Sequence, residues 1–222
     1  MKPIGSYTAR ELELLVLRWK SVEMAWDASS CRLPRERTIL VNKPVRALHV
    51  LTGGRWVLFA HPSGEVSYCD LETEEFVLIP LVPPASKDGS SMVTYMSVDE
   101  ARESQLLSFN IAMSTRPLDP HSHKSGTTRI DVWQVTLLLN DCHDAAGFHP
   151  KRISSFPVRV RARIVSISIS GRWLACEMDL VDIMRQQVLI IDWMRANGES
   201  AQFLRRTLTI RYDRLVRHNT LP

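Results

Sequence analysis

Residues 45–81 read VRALHVLTGGRWVLFAHPSGEVSYCDLETEEFVLIPL, and this stretch decides the fold class. Val45 to Leu51 alternates in character and predicts a strand that stops at Thr52-Gly53-Gly54. Arg55 to Ala60 predicts a second strand. His61-Pro-Ser-Gly-Glu65 is a tight connection, with Gly64 placed for a positive φ. Val66 to Leu71 predicts a third strand, Glu72-Thr-Glu-Glu75 a polar turn, and Phe76 to Leu81 a fourth strand. Short strands joined by tight turns pair antiparallel with their neighbours.

Further along, the same phrase returns. Gly54-Arg55-Trp56 and Gly171-Arg172-Trp173 each follow an alternating strand and open the next one. Arg163 to Ile169, Leu174 to Met178 and Val188 to Trp193 are the strands around the second copy, closed by the turn Arg195-Ala-Asn-Gly198. Tyr68-Cys69-Asp70 ends a strand of the first unit much as Ile191-Asp192-Trp193 ends one of the second. An apolar or aromatic residue beside Asp at this place is a loose form of the Trp-Asp signature of WD-type repeats, and about forty residues is the size of one β-propeller blade. The interval between the copies leaves room for one expanded unit. Its expected strands are Met92 to Val98, Gln105 to Ser114 and Arg129 to Leu139, followed by Ile153 to Val160. Two insertions are expected in it, Thr115 to Gly126 and Asn140 to Arg152. Thr207 to Tyr212 reads as the start of another strand.

Before the strands comes a predicted helix. Thr8-Ala-Arg-Glu11 fits a capping box, in which each side chain bonds the other residue's backbone N–H. Leu12, Leu15, Trp19, Val22 and Trp26 recur at helical spacing and form one apolar stripe. The expected division is a helix and linker over 1–37 and an incomplete propeller over 38–222. The fold class is therefore mainly β, with an N-terminal amphipathic helix and about three four-stranded blades.

Of the 222 residues, 45% are hydrophobic and 23% charged, ordinary values that argue against disorder. No apolar run reaches the ~18 residues of a membrane helix, and no signal-peptide pattern opens the sequence. Cys31, Cys69, Cys142 and Cys176 are widely spaced and read as reduced thiols, which points to an intracellular location, cytoplasm or nucleus. The net charge of +4 is unevenly spread. Residues 151–222 hold 13 Lys/Arg against 6 Asp/Glu, and Arg159, Arg161 and Arg163 alternate as they would on one face of a strand. They form a candidate interaction patch. No aromatic platform of the RNA-binding kind accompanies them, so nucleic acid is not expected as a partner, and a solvated face is the plainer reading.

The order of these features resembles the region downstream of the F-box in a large group of fungal, mainly mushroom-forming, F-box proteins. The capped helix with Glu11-Leu-Glu-Leu and Trp19 through Trp26, the basic Pro/Arg stretch, Leu51-Thr-Gly-Gly-Arg-Trp56 and the close at Asp70-Leu carry the resemblance. It implies a degenerate WD-like propeller that recognises substrates for a cullin-type ubiquitin ligase. An F-box opens on a Leu-Pro phrase and a short helical bundle, and nothing before Thr8 fits it. The Skp-type adaptor is therefore not expected to bind this chain alone, and the chain is expected to be a fragment of a longer propeller. The other readings are a general WD-like scaffold, a nucleic-acid-associated protein using the basic C-terminal region, and a truncated product without independent activity.

Chemistry-bearing motifs are few. His121, His123, Cys142, His143 and His149 cluster in the middle insertions, but their spacing fits no zinc pattern, and they read as solvated loop residues. There is no G-x-S-x-G, H-E-x-x-H, P-loop or dinucleotide fingerprint, so neither a catalytic residue nor a cofactor is assigned. Gly54, Arg55, Trp56, Asp70, Gly171, Arg172, Trp173 and Asp192 are read as a structural repeat signature. Within it, both tryptophans are expected to pack between neighbouring blades.

Overall fold

The computed structural model describes residues 8–10, 12–13, 15–17, 20, 38–73, 75–85, 92–101, 104, 106–117, 128–142, 144–158, 163–180, 185–196 and 205–210. These form three four-stranded antiparallel sheets, and in each one sequence neighbours are also sheet neighbours. Sheet 1 contains β1 (Ala47–Val50), β2 (Trp56–Ala60), β3 (Val66–Asp70) and β4 (Ile79–Val82). Sheet 2 contains β5 (Met92–Glu100), β6 (Ser108–Pro117), β7 (Thr128–Leu139) and β8 (Ala145–Val158). Sheet 3 contains β9 (Arg163–Ser170), β10 (Trp173–Leu180), β11 (Arg185–Asp192) and β12 (Arg205–Ile210), with a 3-10 turn at Trp193–Arg195.

Strand alternation distributes the core. Successive side chains point to opposite faces, so Ile111 and Met113 face one way and Ala112 the other. Ile111 and Met113 join Phe109, Val135, Leu137 and Phe148 against Trp56, Leu58, Ala60 and Tyr68 of sheet 1. Ala112 joins Ile130, Val132 and Phe156 against Ile169, Leu174, Cys176 and Ile191 of sheet 3. Sheet 2 is thus the middle layer of a face-to-face stack, and each large side chain it buries contributes about 1.5–3 kcal/mol. Every residue of β2 is buried. Its second face carries Val57 and Phe59, which pack with Cys69 under Val41, Leu71, Phe76 and Leu78. Among the described residues no core cluster joins sheet 1 to sheet 3.

The middle unit departs from expectation. Asn140 to Arg152, expected as an insertion, is mostly strand, because β8 begins at Ala145 and pairs with β7 from Leu139 back to Thr128. Of its described residues only Asn140–Cys142 and Asp144 lie outside the strand, and there the Asn140 Oδ1 accepts from the N–H groups of Cys142 (3.0 Å) and Asp144 (2.7 Å). Gly147, His149 and Pro150 read as loop residues in isolation. Tertiary pairing overrides that reading: Phe148 is buried opposite Leu137, and the register shift at Leu138/Leu139 accommodates the irregularity. The expected insertion at Thr115 to Gly126 also begins late, since β6 runs to Pro117. Arg205–Ile210 is the fourth strand of sheet 3, so the strand expected near Thr207 completes a unit already begun.

Of the N-terminal helix, Ala9, Arg10, Leu12, Glu13, Leu15–Leu17 and Lys20 are described and helical. The Leu12 N–H donates to the Thr8 carbonyl at 3.0 Å. Leu12 is exposed and Leu15 half-buried, whereas Glu11, Trp19, Val22 and Trp26 lie outside the described residues.

Candidate functional site

The two Gly-Arg-Trp copies build the same clasp. In sheet 1, Trp56 lies opposite Asp70 across the β2–β3 ladder. Arg55 reaches back along that edge and meets Asp70 through two nitrogens, Nε to Oδ1 at 3.0 Å and Nη2 to Oδ2 at 2.6 Å. Its guanidinium lies over the Trp56 ring, 4.7 Å from the centroid. Planar guanidinium suits both tasks, a fork of donors for the carboxylate and a flat cation for the indole face. The hydrogen bond to Asp70 raises the Arg55 pKa further. Asp70 also accepts the Glu72 N–H at 2.9 Å, which fixes the turn after β3.

In sheet 3, Trp173 lies opposite Asp192 in the same way across β10 and β11. Arg172 hydrogen-bonds Asp192 and lies over Trp173, 5.1 Å from its centroid. Asp192 is fully buried, and the hydrogen bond from Arg172 holds its carboxyl below the ordinary aspartate range. The Trp193 indole N–H donates to the Gly171 carbonyl at 2.8 Å and closes the clasp from the other side. Gly54 (φ 71°) and Gly171 (φ 51°) both adopt the left-handed turn that places Arg and Trp on successive faces.

The copies differ in surroundings. Trp56 is 5% exposed and meets Phe148 of sheet 2 edge-on at 5.0 Å. Trp173 is 47% exposed, so the expectation that both tryptophans pack between units fails for the second. The reason is topological: Trp173 projects from the face of sheet 3 that points away from sheet 2, since Leu174 and Cys176 occupy the facing side.

Two further constellations carry no sequence motif. β5 ties both neighbours to itself. Its Glu100 accepts the Thr52 N–H of sheet 1 at 3.0 Å, while Ser97 and Asp99 accept the Ile169 and Gly171 N–H groups of sheet 3 at 3.1 and 2.7 Å. The alternation of a strand again sends 97 and 99 one way and 100 the other. The second is a buried pair in which His61 Nε2 lies 2.7 Å from the Ser67 Oγ. Its Nδ1 lies 2.8 Å from the Pro44 carbonyl, which only accepts, so Nδ1 carries the proton and Nε2 accepts from the Ser67 hydroxyl. This has the outline of a nucleophile and base. Both residues are 2% exposed, however, and a nucleophile must reach its substrate. The pair acts as a peg joining the β2–β3 turn to the segment before β1. Only the turn residues His61-Pro-Ser-Gly hinted at it in sequence.

Arg159 and Arg161 lie outside the described residues, as do His121, His123, His143 and Cys31; Arg163 begins β9. Cys142 is exposed in its turn, whereas Cys69 and Cys176 are buried. Among the described residues no three His, Cys, Asp or Glu side chains group as metal ligands, and no helix is long and apolar enough to cross a membrane. The chain matches no known family model and no curated protein.

Proposed function

We propose that the chain is a non-enzymatic protein-interaction module, an incomplete WD-like β-propeller of about three blades. In this reading it is the substrate-recognition part of an F-box-type ubiquitin-ligase adaptor. One observation supports the architecture above all. Three consecutive meanders stack face to face, and the first strand of the middle one, β5, bonds to the units on both sides. Blades arranged about an axis bring their first strands together in this manner. The non-catalytic part is supported by how the polar groups are used. Asp70, Asp192, His61 and Ser67 are each engaged in holding a turn or an edge. Rigid sheets that hold turns of differing sequence suit recognition.

Two pull-downs test the reading. The isolated chain is expected not to retain a purified Skp-type adaptor, whereas a chimera carrying an F-box ahead of Thr8 retains it. The chimera should also cross-link to a target through the turns, with loss of the cross-link when the target-facing turn is replaced. Retention of the adaptor by the chain alone overturns the assignment of roles. A purified chain that hydrolyses substrates in an activity panel overturns the non-enzymatic reading.

A further inference from the structure

Strand register aligns the two clasps residue by residue. In sheet 3, Trp173 pairs with Asp192, and Ala175 with Ser168 on one side and Ile190 on the other. In sheet 1, Trp56 pairs with Asp70, and Leu58 with His49 and Tyr68. Ala175 therefore holds the place of Leu58, and Ile190 that of Tyr68. Sheet 2 covers this face in sheet 1, where Phe148 lies edge-on to Trp56 and to Tyr68, each at 5.0 Å. The same face of sheet 3 is open. Ser168, Ser170, Trp173, Ala175 and Ile190 line a groove of about 460 Å3 there. Smaller side chains at 175 and 190 than at Leu58 and Tyr68 leave that room.

The two clasps also carry opposite charge balances. Arg55 feels three carboxylates, Asp70 first, then Glu72 and Asp144. The last of these belongs to the segment that covers the clasp, since Asp144 immediately precedes β8 and Phe148 follows four residues on. Around Trp173, two arginines share one carboxylate. Arg172 hydrogen-bonds Asp192, and the Arg195 Nε lies 3.6 Å from it. Asp192 is buried, while both arginine side chains are exposed. Arg172 lies over the Trp173 ring, so this surplus positive charge stands at the wall of the groove. Glu177, two residues beyond Ala175, stands toward the other end of the same face and accepts the Ser166 hydroxyl at 2.9 Å.

We propose that the Trp173 groove takes an acidic segment of a partner protein, with an aromatic side chain against Trp173 and a carboxylate on Arg172 and Arg195. The molecule makes the counterpart of this contact internally, where Asp144-Ala-Ala-Gly-Phe148 brings a carboxylate to Arg55 and a ring to Trp56. Charge complementarity asks for the same chemistry at the second clasp, because its positive charge is the less compensated of the two. An aromatic anchor in an apolar hollow supplies most of the affinity, and the exposed arginines at its rim set which segment enters. The inference rests on the reading of the chain as an interaction module, and it names the surface and the partner chemistry.

Fluorescence anisotropy tests it, with a labelled peptide of residues 144–150, Asp-Ala-Ala-Gly-Phe-His-Pro, titrated with the full chain. Saturable binding that weakens as salt rises is expected. Phe148→Ala in the peptide lowers affinity at least about tenfold, as loss of a central anchor does. Asp144→Asn in the peptide lowers it about threefold and flattens the salt dependence. In the chain, Trp173→Ser costs at least about tenfold and Arg195→Gln about threefold. Both side chains are exposed, so circular dichroism and melting should be unchanged. Absence of saturable binding overturns the proposal, as does binding indifferent to Phe148→Ala or to Trp173→Ser. Self-association of the chain that excludes the peptide also overturns it, since a second copy then fills the groove. Failure of the peptide while the chimera still cross-links to its target strikes this inference alone. Loss of both strikes the interaction-module reading with it.

Discussion

Arg55 and Arg172 do the same work in different settings. Each joins a carboxylate to an indole, so a single arginine links the end of one strand to the start of another. Asp70→Asn keeps the shape and removes the charge. With Arg55 partly exposed to solvent, the expected loss is about 1 kcal/mol in urea unfolding. Asp192 adds an acid-sensitive contribution. Its folded pKa is depressed, so the stability it gives is present above the unfolded value of about 3.9. That contribution is lost as pH falls through the lower folded value. Asp192→Asn should flatten the acid limb of stability against pH. Cys176 behaves oppositely. Burial pushes the Cys176 thiol up to about 12, so stability falls between about pH 8.5, where the unfolded thiol ionises, and pH 12. Cys176→Ala should reduce that alkaline slope. At neutral pH, alkylation of the native protein should label Cys142, while Cys69 and Cys176 react only after denaturant is added.

Turns and strand pairing decide the elements, and the glycines show how. Gly64 and Gly54 both have positive φ, 81° and 71°. An added Cβ at Gly64 would lie 2.8 Å from the Ala85 Cβ, whereas at Gly54 it would meet nothing within 4 Å. Gly54→Ala is therefore expected to cost about 1 kcal/mol, the backbone term alone. Gly64→Ala should cost about 2–3 kcal/mol, because the clash adds to strain, and a comparison of the two melting curves checks the difference. Both turns were legible from Gly and its neighbours, since the need for positive φ is local. β8 was not legible. Its Gly147-Phe-His-Pro150 run has the composition of a loop, and it becomes strand because β7 offers an unpaired edge and Phe148 has a pocket to fill.

At the level of the whole molecule, Phe148 is the central contact between sheets 1 and 2. It meets Trp56, Tyr68 and Phe109 edge-on at 5.0, 5.0 and 5.5 Å. Phe148→Ala should destabilise by about 3–5 kcal/mol, with a cavity left between the layers. Denaturant unfolding followed by tryptophan fluorescence should then show Trp56 exposed ahead of global unfolding, because sheet 1 has no described core contact with sheet 3. Coincident transitions by fluorescence and circular dichroism would show instead that the stack unfolds as one unit.

The strands of the first and third units, the glycine turns at Gly54, Gly64 and Gly171, and the repeat of Gly-Arg-Trp with its Asp partners could be read from the chain alone. These follow from alternation and backbone geometry, which act over a few residues. Which face of each sheet is covered was set instead by packing between the sheets. Trp56 and Trp173 stand in the same motif, and one is buried and the other open because burial depends on the neighbouring sheet. The pegs at His61–Ser67 and the ties from β5 were likewise invisible, since each joins residues whose chemistry has no meaning until the layers meet.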